Sequence, residues 1–240
     1  MLFPNLAPYS KWSSVSVYSP ERHLLRLDDL TPSLLADNFM SQVRFARAVL
    51  GHDPSSTWIS VNANQLPPSG SSIFHPHLQG SASPVPTTVQ RLLAEVGPAR
   101  VREYIELEKQ DGERLIGSTG PVDWVAAFAP IGPAEIRGVV SNASSPEQLD
   151  PPVVSELASG LSLTLRLYAS LGFQSFNLAV FGAPSVASGS LLILRLVGRA
   201  YYGPLLRSDA MWSERLHCEA ATDVSPESLA DRGRELFALG

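Results

Sequence analysis

Two apolar stripes at helical spacing organise the chain. Leu35, Phe39, Val43, Ala46 and Leu50 form the first, and Val154, Leu157, Leu161, Leu165 and Tyr168 form the second. Each stripe opens on a capping residue followed by proline, Thr31-Pro32 and Asp150-Pro151, which is helix-start chemistry. Gly51 and Gly172 are expected to end them. Short alternating or apolar runs predict strands at 14–18, 57–62, 75–79, 114–118, 124–128, 136–140, 175–181 and 190–197. Residues 86–110 read as helical, broken at Gly97-Pro98, and Ser225-Pro226 opens a last helix to about residue 239. Residues 1–11, with Pro4 and Pro8, read as an irregular lead-in.

This order repeats. Each half runs strand, proline-started long helix, strand, loop of small residues, strand. The pattern predicts an antiparallel α+β fold of two related halves, residues 1–110 and 111–240, sharing one continuous sheet. Counted from the helix-starting prolines, the strand after the loop carries His75 and His77 in the first half. In the second half the matching positions fall near Gly198 and Ala200.

Composition narrows the function classes. A hydrophobic content of 44% with 17% charged residues is that of a folded chain, not a disordered one. The net charge of −5, with no run of like charge, argues against a protein held on nucleic acid by its field, but leaves room for a small nucleotide ligand. The one cysteine, Cys218, excludes an internal disulfide and a cysteine-rich zinc site. No apolar run is long enough for a membrane span and no signal-peptide pattern opens the chain, so a soluble cytoplasmic protein is expected.

The candidate chemistry lies in residues 61–80. Extended, His75, His77 and Gln79 share one face, with Phe74 and Leu78 turned to the core. Pro67, Pro68, Ser69, Gly70, Ser71 and Ser72 precede them as a loop expected to be rich in free N–H groups. Asn62 and Asn64 lie in the strand before the loop. A His-x-His pair alone is more often surface or a metal-ligand pair. Here the run of polar residues makes a poor core and a plausible phosphate site, where an imidazole can attack phosphorus and amides can hold the oxyanion charge.

His75-Pro76-His77-Leu78-Gln79 resembles the His-Pro-His-x-Gln motif of the galactose-1-phosphate uridylyltransferases, in the histidine-triad superfamily. Ser19-Pro20-Glu21, Asn64 and the loop Gly70-Ser71-Ser72 fit the same pattern, and Tyr202 to Ser208 and Trp124 to Pro130 resemble its second half more loosely. The resemblance implies a duplicated histidine-triad-like fold and a nucleotidyltransferase working through a covalent nucleotidyl-His77. Carried over, Gln79 holds the transferred phosphoryl group, Asn64, Gly70, Ser71 and Ser72 shape the phosphate site, and His75 orients the strand or His77. The histidine-triad hydrolases are similar but have histidine where Gln79 stands. Glutamine stabilises charge without shuttling a proton, which favours transfer to an acceptor over hydrolysis.

The resemblance further implies a homodimer, a nucleotide or nucleotide-sugar substrate and a phosphate-containing acceptor. Some members bind zinc through the first histidine of the motif, a histidine near the Ser-Pro turn and a cysteine pair. This chain is expected to be shortened at the N-terminus, lacks the cysteine pair, and offsets His23 by one position, so no metal and no cofactor are expected.

Arg199 and Arg207 are candidates for a phosphate, Arg207 the stronger as a substrate-binding residue, although pairing with Asp209 or Glu214 would serve equally well. His52, the His217-Cys218 pair and the four tryptophans read as surface or packing. Two alternatives stand beside the transferase: a phosphorylase of a nucleoside diphosphate sugar or dinucleoside polyphosphate, and a non-catalytic nucleotide-binding or scaffold protein.

Overall fold

The computed structural model describes residues 1–184, 191–199, 222 and 224–239. Among the described residues nine strands form one sheet in which every neighbouring pair is antiparallel. They are β1 (Leu2–Pro4), β2 (Trp12–Val17), β3 (Trp58–Gln65), β4 (His77–Ser83), β5 (Leu115–Thr119), β6 (Val122–Ala126), β7 (Ile136–Val140), β8 (Ser175–Phe181) and β9 (Leu192–Arg199). The order is β1-β2-β4-β3-β8-β9-β7-β6-β5. Read outward from the β3–β8 seam, β3-β4-β2-β1 in one direction matches β8-β9-β7-β6 in the other. The chain is an α+β fold built twice on one continuous sheet.

The helices follow from local sequence. In α1 (Pro32–His52) the Thr31 hydroxyl accepts the Leu34 N–H, and in α4 (Pro151–Ser170) the Asp150 carboxylate accepts the Val153 N–H at 2.9 Å. Both place their apolar stripes on the same face of the sheet, where Phe39, Val43, Leu157, Leu161 and Tyr168 join Leu78, Trp124, Ile136, Phe176 and Leu194 in one core. Contact is close: a Cβ at Gly160 would lie 2.2 Å from Trp124 Nε1, so only glycine lets α4 sit on that ring. The last helix, α5 (Pro226–Phe237), adds Leu229 and Ala230 to this layer.

The opposite face is treated differently in the two halves. Over the second half, α3 (Pro98–Asp111) packs Ile105, Val101 and Tyr104 against Val125 and Val139; α2 (Thr88–Val96) precedes it. Over the first half this face carries Asn62, Asn64, His77, Gln79 and Ser81, alternating with the core residues Val61, Ala63, Leu78 and Ala82.

Four expectations change. The first long helix runs through Gly51 to His52 and is capped at Asp53, so the glycine does not end it. The lead-in contains a strand: β1 pairs Leu2 with Ser16 and Pro4 with Ser14. Its residues are all exposed, so there was no alternation to read. The strand after the loop begins at His77, leaving His75 and Pro76 outside it, since proline cannot donate to a ladder and restricts the residue before it. Phe74 therefore does not share the core-facing side of Leu78; it is 51% exposed. The small-residue loop expected between β8 and β9, residues 182–189, lies outside the described residues from 185 onward.

Candidate active site

His77 is placed from below by a buried polar cluster. On the core side of β4, Gln42 of α1 donates to the Ser16 hydroxyl (2.6 Å) and to the Leu78 carbonyl (3.4 Å), and accepts from the Ser14 hydroxyl (2.9 Å). Asn38 donates to the Ser16 carbonyl at 3.1 Å. Next to this cluster a Cβ on Gly80 would meet Gln42 Oε1 at 2.2 Å and Ser14 Oγ at 2.6 Å, so β4 lies against α1 only because residue 80 is glycine. Sequence reasoning missed these residues. Asn38 and Gln42 fall on the apolar stripe of α1, which was their one signal, whereas the alternation of Val15 and Val17 with Ser14 and Ser16 pointed the serines away from the helix and the structure turns them towards it.

His77 is 6% exposed, with its side chain on the face away from the long helices. Its Nδ1 lies 2.8 Å from the His75 carbonyl oxygen. A carbonyl can only accept, so Nδ1 carries the proton and Nε2 of the neutral ring carries the lone pair. Gln79 follows on the same face, paired with Asn62 of β3, and Asn64 lies two residues further along β3. Next in the sheet, Asn177 of β8 is directly opposite Asn64 and donates to its Oδ1 at 2.7 Å. Asn177 also donates to the Ser69 carbonyl at 2.8 Å. Nothing in the linear sequence linked Asn177 to the motif.

The loop between β3 and β4 turns through a single 3-10 turn at Pro67–Ser69, entered at Leu66 with φ 67° and left at Gly70 with φ 89°. A left-handed leucine is unusual, and Gly70 meets its own requirement without strain. The N–H groups of Ser69 and Ser71 donate to the Leu66 carbonyl and that of Gly70 to the Pro67 carbonyl. These three amides close the loop on itself, so they do not form the open nest of N–H groups expected. The Ser71 hydroxyl donates to the Ile73 carbonyl at 2.6 Å, and Ser72 is exposed.

His75 sits beside the strand. Its Nε2 is 2.7 Å from the Ser19 carbonyl, and its Nδ1 is 3.0 Å from Nδ1 of His23, the rings standing at 89°. His75 thus ties the Ser-Pro turn to the residue whose own carbonyl holds His77. Among the described residues no three His, Cys, Asp or Glu side chains come together as a metal site. Next to the turn, the Tyr18 N–H donates to the Pro76 carbonyl, and burial pushes the Tyr18 phenol well above its ordinary value.

The second half differs from expectation at its matching strand. Gly198 pairs with Phe176 and faces the helix layer, where a Cβ would lie 2.9 Å from the Phe173 ring. It is therefore on the opposite face of the sheet from His77. The residues of β9 on the site face are Ile193, Arg195, Val197 and Arg199. Arg195 and Arg137 both bind one fully buried carboxylate, Glu135, at 2.7 and 2.9 Å. Arg195 also lines a pocket of about 290 Å³ with Asn62, Asn177 and Val197, on the sheet face that His77 also occupies. Ala200, Arg207, the segment 202–208, His217 and Cys218 lie outside the described residues. His52 is exposed and meets Trp12 edge-on, as a surface residue.

Comparison with known proteins places this fold. No family model matches the chain. An uncharacterised protein of Archaeoglobus fulgidus is 28% identical over 99% of this chain and 73% of its own length. An ADP-glucose phosphorylase from Arabidopsis thaliana, solved with bound ADP-glucose, superposes with a TM-score of 0.77 at 22% identity, over 98% of this chain and 81% of that one. A uridylyltransferase superposes with a TM-score of 0.77 at 19% identity, over 100% of this chain and 85% of the other. The chain thus has the fold of the uridylyltransferases and of ADP-glucose phosphorylase. Among the described residues no helix is long and apolar enough to cross a membrane.

Proposed function

We propose that this chain is a nucleotidyltransferase that works through a covalent nucleotidyl-His77. The observation that carries this reading is the tautomer of His77: its Nδ1 proton is held by the His75 carbonyl at 2.8 Å, leaving Nε2 as the nucleophile on a face of amide side chains. The Nε2 lone pair attacks the α-phosphorus of a nucleoside diphosphate sugar. As the P–N bond forms, the P–O bond to the leaving group breaks and its electron pair departs with the sugar phosphate. The ring gains positive charge, which the carbonyl at Nδ1 stabilises. A phosphate oxygen of the acceptor then attacks the same phosphorus, the P–N bond breaks, and neutral His77 is restored.

Gln79 and Asn64 offer amide donors on the same face for the phosphoryl oxygens. Neither can take a proton from water, which favours transfer over hydrolysis. His75 is a positioning residue, and Gly70, Ser71 and Ser72 shape the loop beside the phosphate. Arg207 belongs to the same proposal as a phosphate ligand. So do a homodimer in the cytoplasm, and a division after residue 110 into a half that carries the chemistry and a half that supports it.

A second reading changes only the acceptor. The likeness to an ADP-glucose phosphorylase favours inorganic phosphate, which would release a nucleoside diphosphate instead of a new nucleotide sugar. Incubating the protein with a panel of nucleoside diphosphate sugars, with labelled inorganic phosphate in one arm and hexose 1-phosphates in the other, separates the two by product. Label in a nucleoside diphosphate supports the phosphorylase. Exchange of the sugar moiety supports the uridylyltransferase-like reaction, and no turnover in either arm counts against both.

A further inference from the structure

We propose that Asn177, supplied by the second half, is a positioning residue for nucleotidyl transfer: it sets which end of the Asn64 amide faces the reacting phosphate. The inference rests on the nucleotidyl-transfer reading of the His77 site, and two contacts order it. The Ser69 carbonyl can only accept, so the atom of Asn177 that lies 2.8 Å from it is the nitrogen, Nδ2. That nitrogen has no lone pair to offer, so the atom of Asn64 that lies 2.7 Å from it is the oxygen, Oδ1. With Oδ1 turned towards β8, Nδ2 of Asn64 is left on the side of β4, the strand that carries His77 and Gln79. A single side chain therefore determines that Asn64 presents donors to the phosphoryl oxygens. Reversed, Asn64 would present a carbonyl oxygen, which repels them.

The same amide fixes the loop. Ser69 lies in the 3-10 turn between the left-handed Leu66 and Gly70, and its carbonyl is held by a strand of the other half. Asn177 stands in Ser-Phe-Asn-Leu-Ala-Val-Phe, whose Phe176, Leu178 and Val180 face the core. Asparagine there contributes no apolar burial, so its two bonds across the seam account for its place.

The discriminating variant is Asn177→Asp, which keeps shape but replaces both donors by acceptors aimed at Asn64 Oδ1 and the Ser69 carbonyl. The expected result is a single-turnover rate of nucleotidyl-His77 formation lowered by about 10- to 100-fold, with KM changed less than about threefold. Asn64→Ala should lose a similar factor, and adding Asn177→Asp to it should lose little more, because the second residue acts through the first. Wild-type rates in Asn177→Asp, or losses that multiply fully in the double variant, would overturn the role. If the unaltered protein forms no nucleotidyl adduct with any nucleotide sugar, the reading of the His77 site fails first. The clamp is then decided by the crystal structure of Asn177→Asp, where an Asn64 amide and a 66–72 loop unmoved from their present positions would refute it.

Discussion

The two halves of the sheet share strand order, helix placement and cap chemistry, yet they use the face opposite the long helices in opposite ways. In the first half that face carries a row of polar side chains, and its one imidazole, largely buried, has its protonated nitrogen tied to a backbone carbonyl. In the second half α3 covers β6 and β7, and Arg137 and Arg195 share one buried carboxylate, Glu135. The difference teaches that the duplicated frame does not itself make a site. What sets the first half apart is a row of polar side chains on that face, held from below, as Gln42 and Gly80 do for β4.

The largest expected effect comes from removing the proposed nucleophile. His77→Ala should lower turnover by about 10⁴-fold or more, because the covalent route is lost. Far-UV circular dichroism and thermal unfolding should stay close to those of the unaltered protein, and a retained rate would break the asymmetry between the halves. Next is the charge cluster of the second half. Glu135→Leu leaves Arg137 and Arg195 without their shared partner and should cost about 2–3 kcal/mol in denaturant unfolding, allowing for their partial exposure. Nucleotidylation of His77 should still be detectable in that variant at low temperature. Its complete loss in a folded protein would show that the second half takes part in the chemistry.

A smaller effect tests the matching strand directly. Gly198→His places an imidazole at the position that sequence counting pairs with the motif, but on the helix side against Phe173. It should destabilise the protein by about 1–3 kcal/mol and add no second nucleotidyl group; a second adduct by mass would contradict the assigned face. The smallest expected change is a partition. Gln79→His introduces a proton shuttle, so the ratio of hydrolysis to transfer should rise by about tenfold, read from product ratios at fixed acceptor. An unchanged ratio would remove the role given to Gln79.

Much of the fold was legible because its signals are local. The Thr31-Pro32 and Asp150-Pro151 starts, the Gly97-Pro98 break and the apolar stripes each report on a few neighbouring residues, and the helices form where they predict. The motif was legible for the same reason, since His77 and Gln79 are two apart on one strand. What was not legible depends on register. An offset of one residue moves a strand side chain to the other face, which is why Gly198 is the wrong partner for His77. The Asn64–Asn177 contact spans 113 residues and exists only because β3 and β8 meet at the seam. Nor could composition show that the loop amides of Ser69, Gly70 and Ser71 close on Leu66 and Pro67, because glycine and serine fit an open nest and a closed turn equally well.

The central claim is that one residue in each chain carries the nucleotidyl group. Intact-protein mass spectrometry after incubation with a panel of nucleoside diphosphate sugars, followed by peptide mapping under conditions gentle to phosphoramidates, tests it most directly. The account predicts one nucleoside monophosphate per chain, on His77, discharged by adding a phosphate acceptor. An adduct on any other residue, more than one per chain, or acceptor-dependent turnover with no trappable adduct would contradict it.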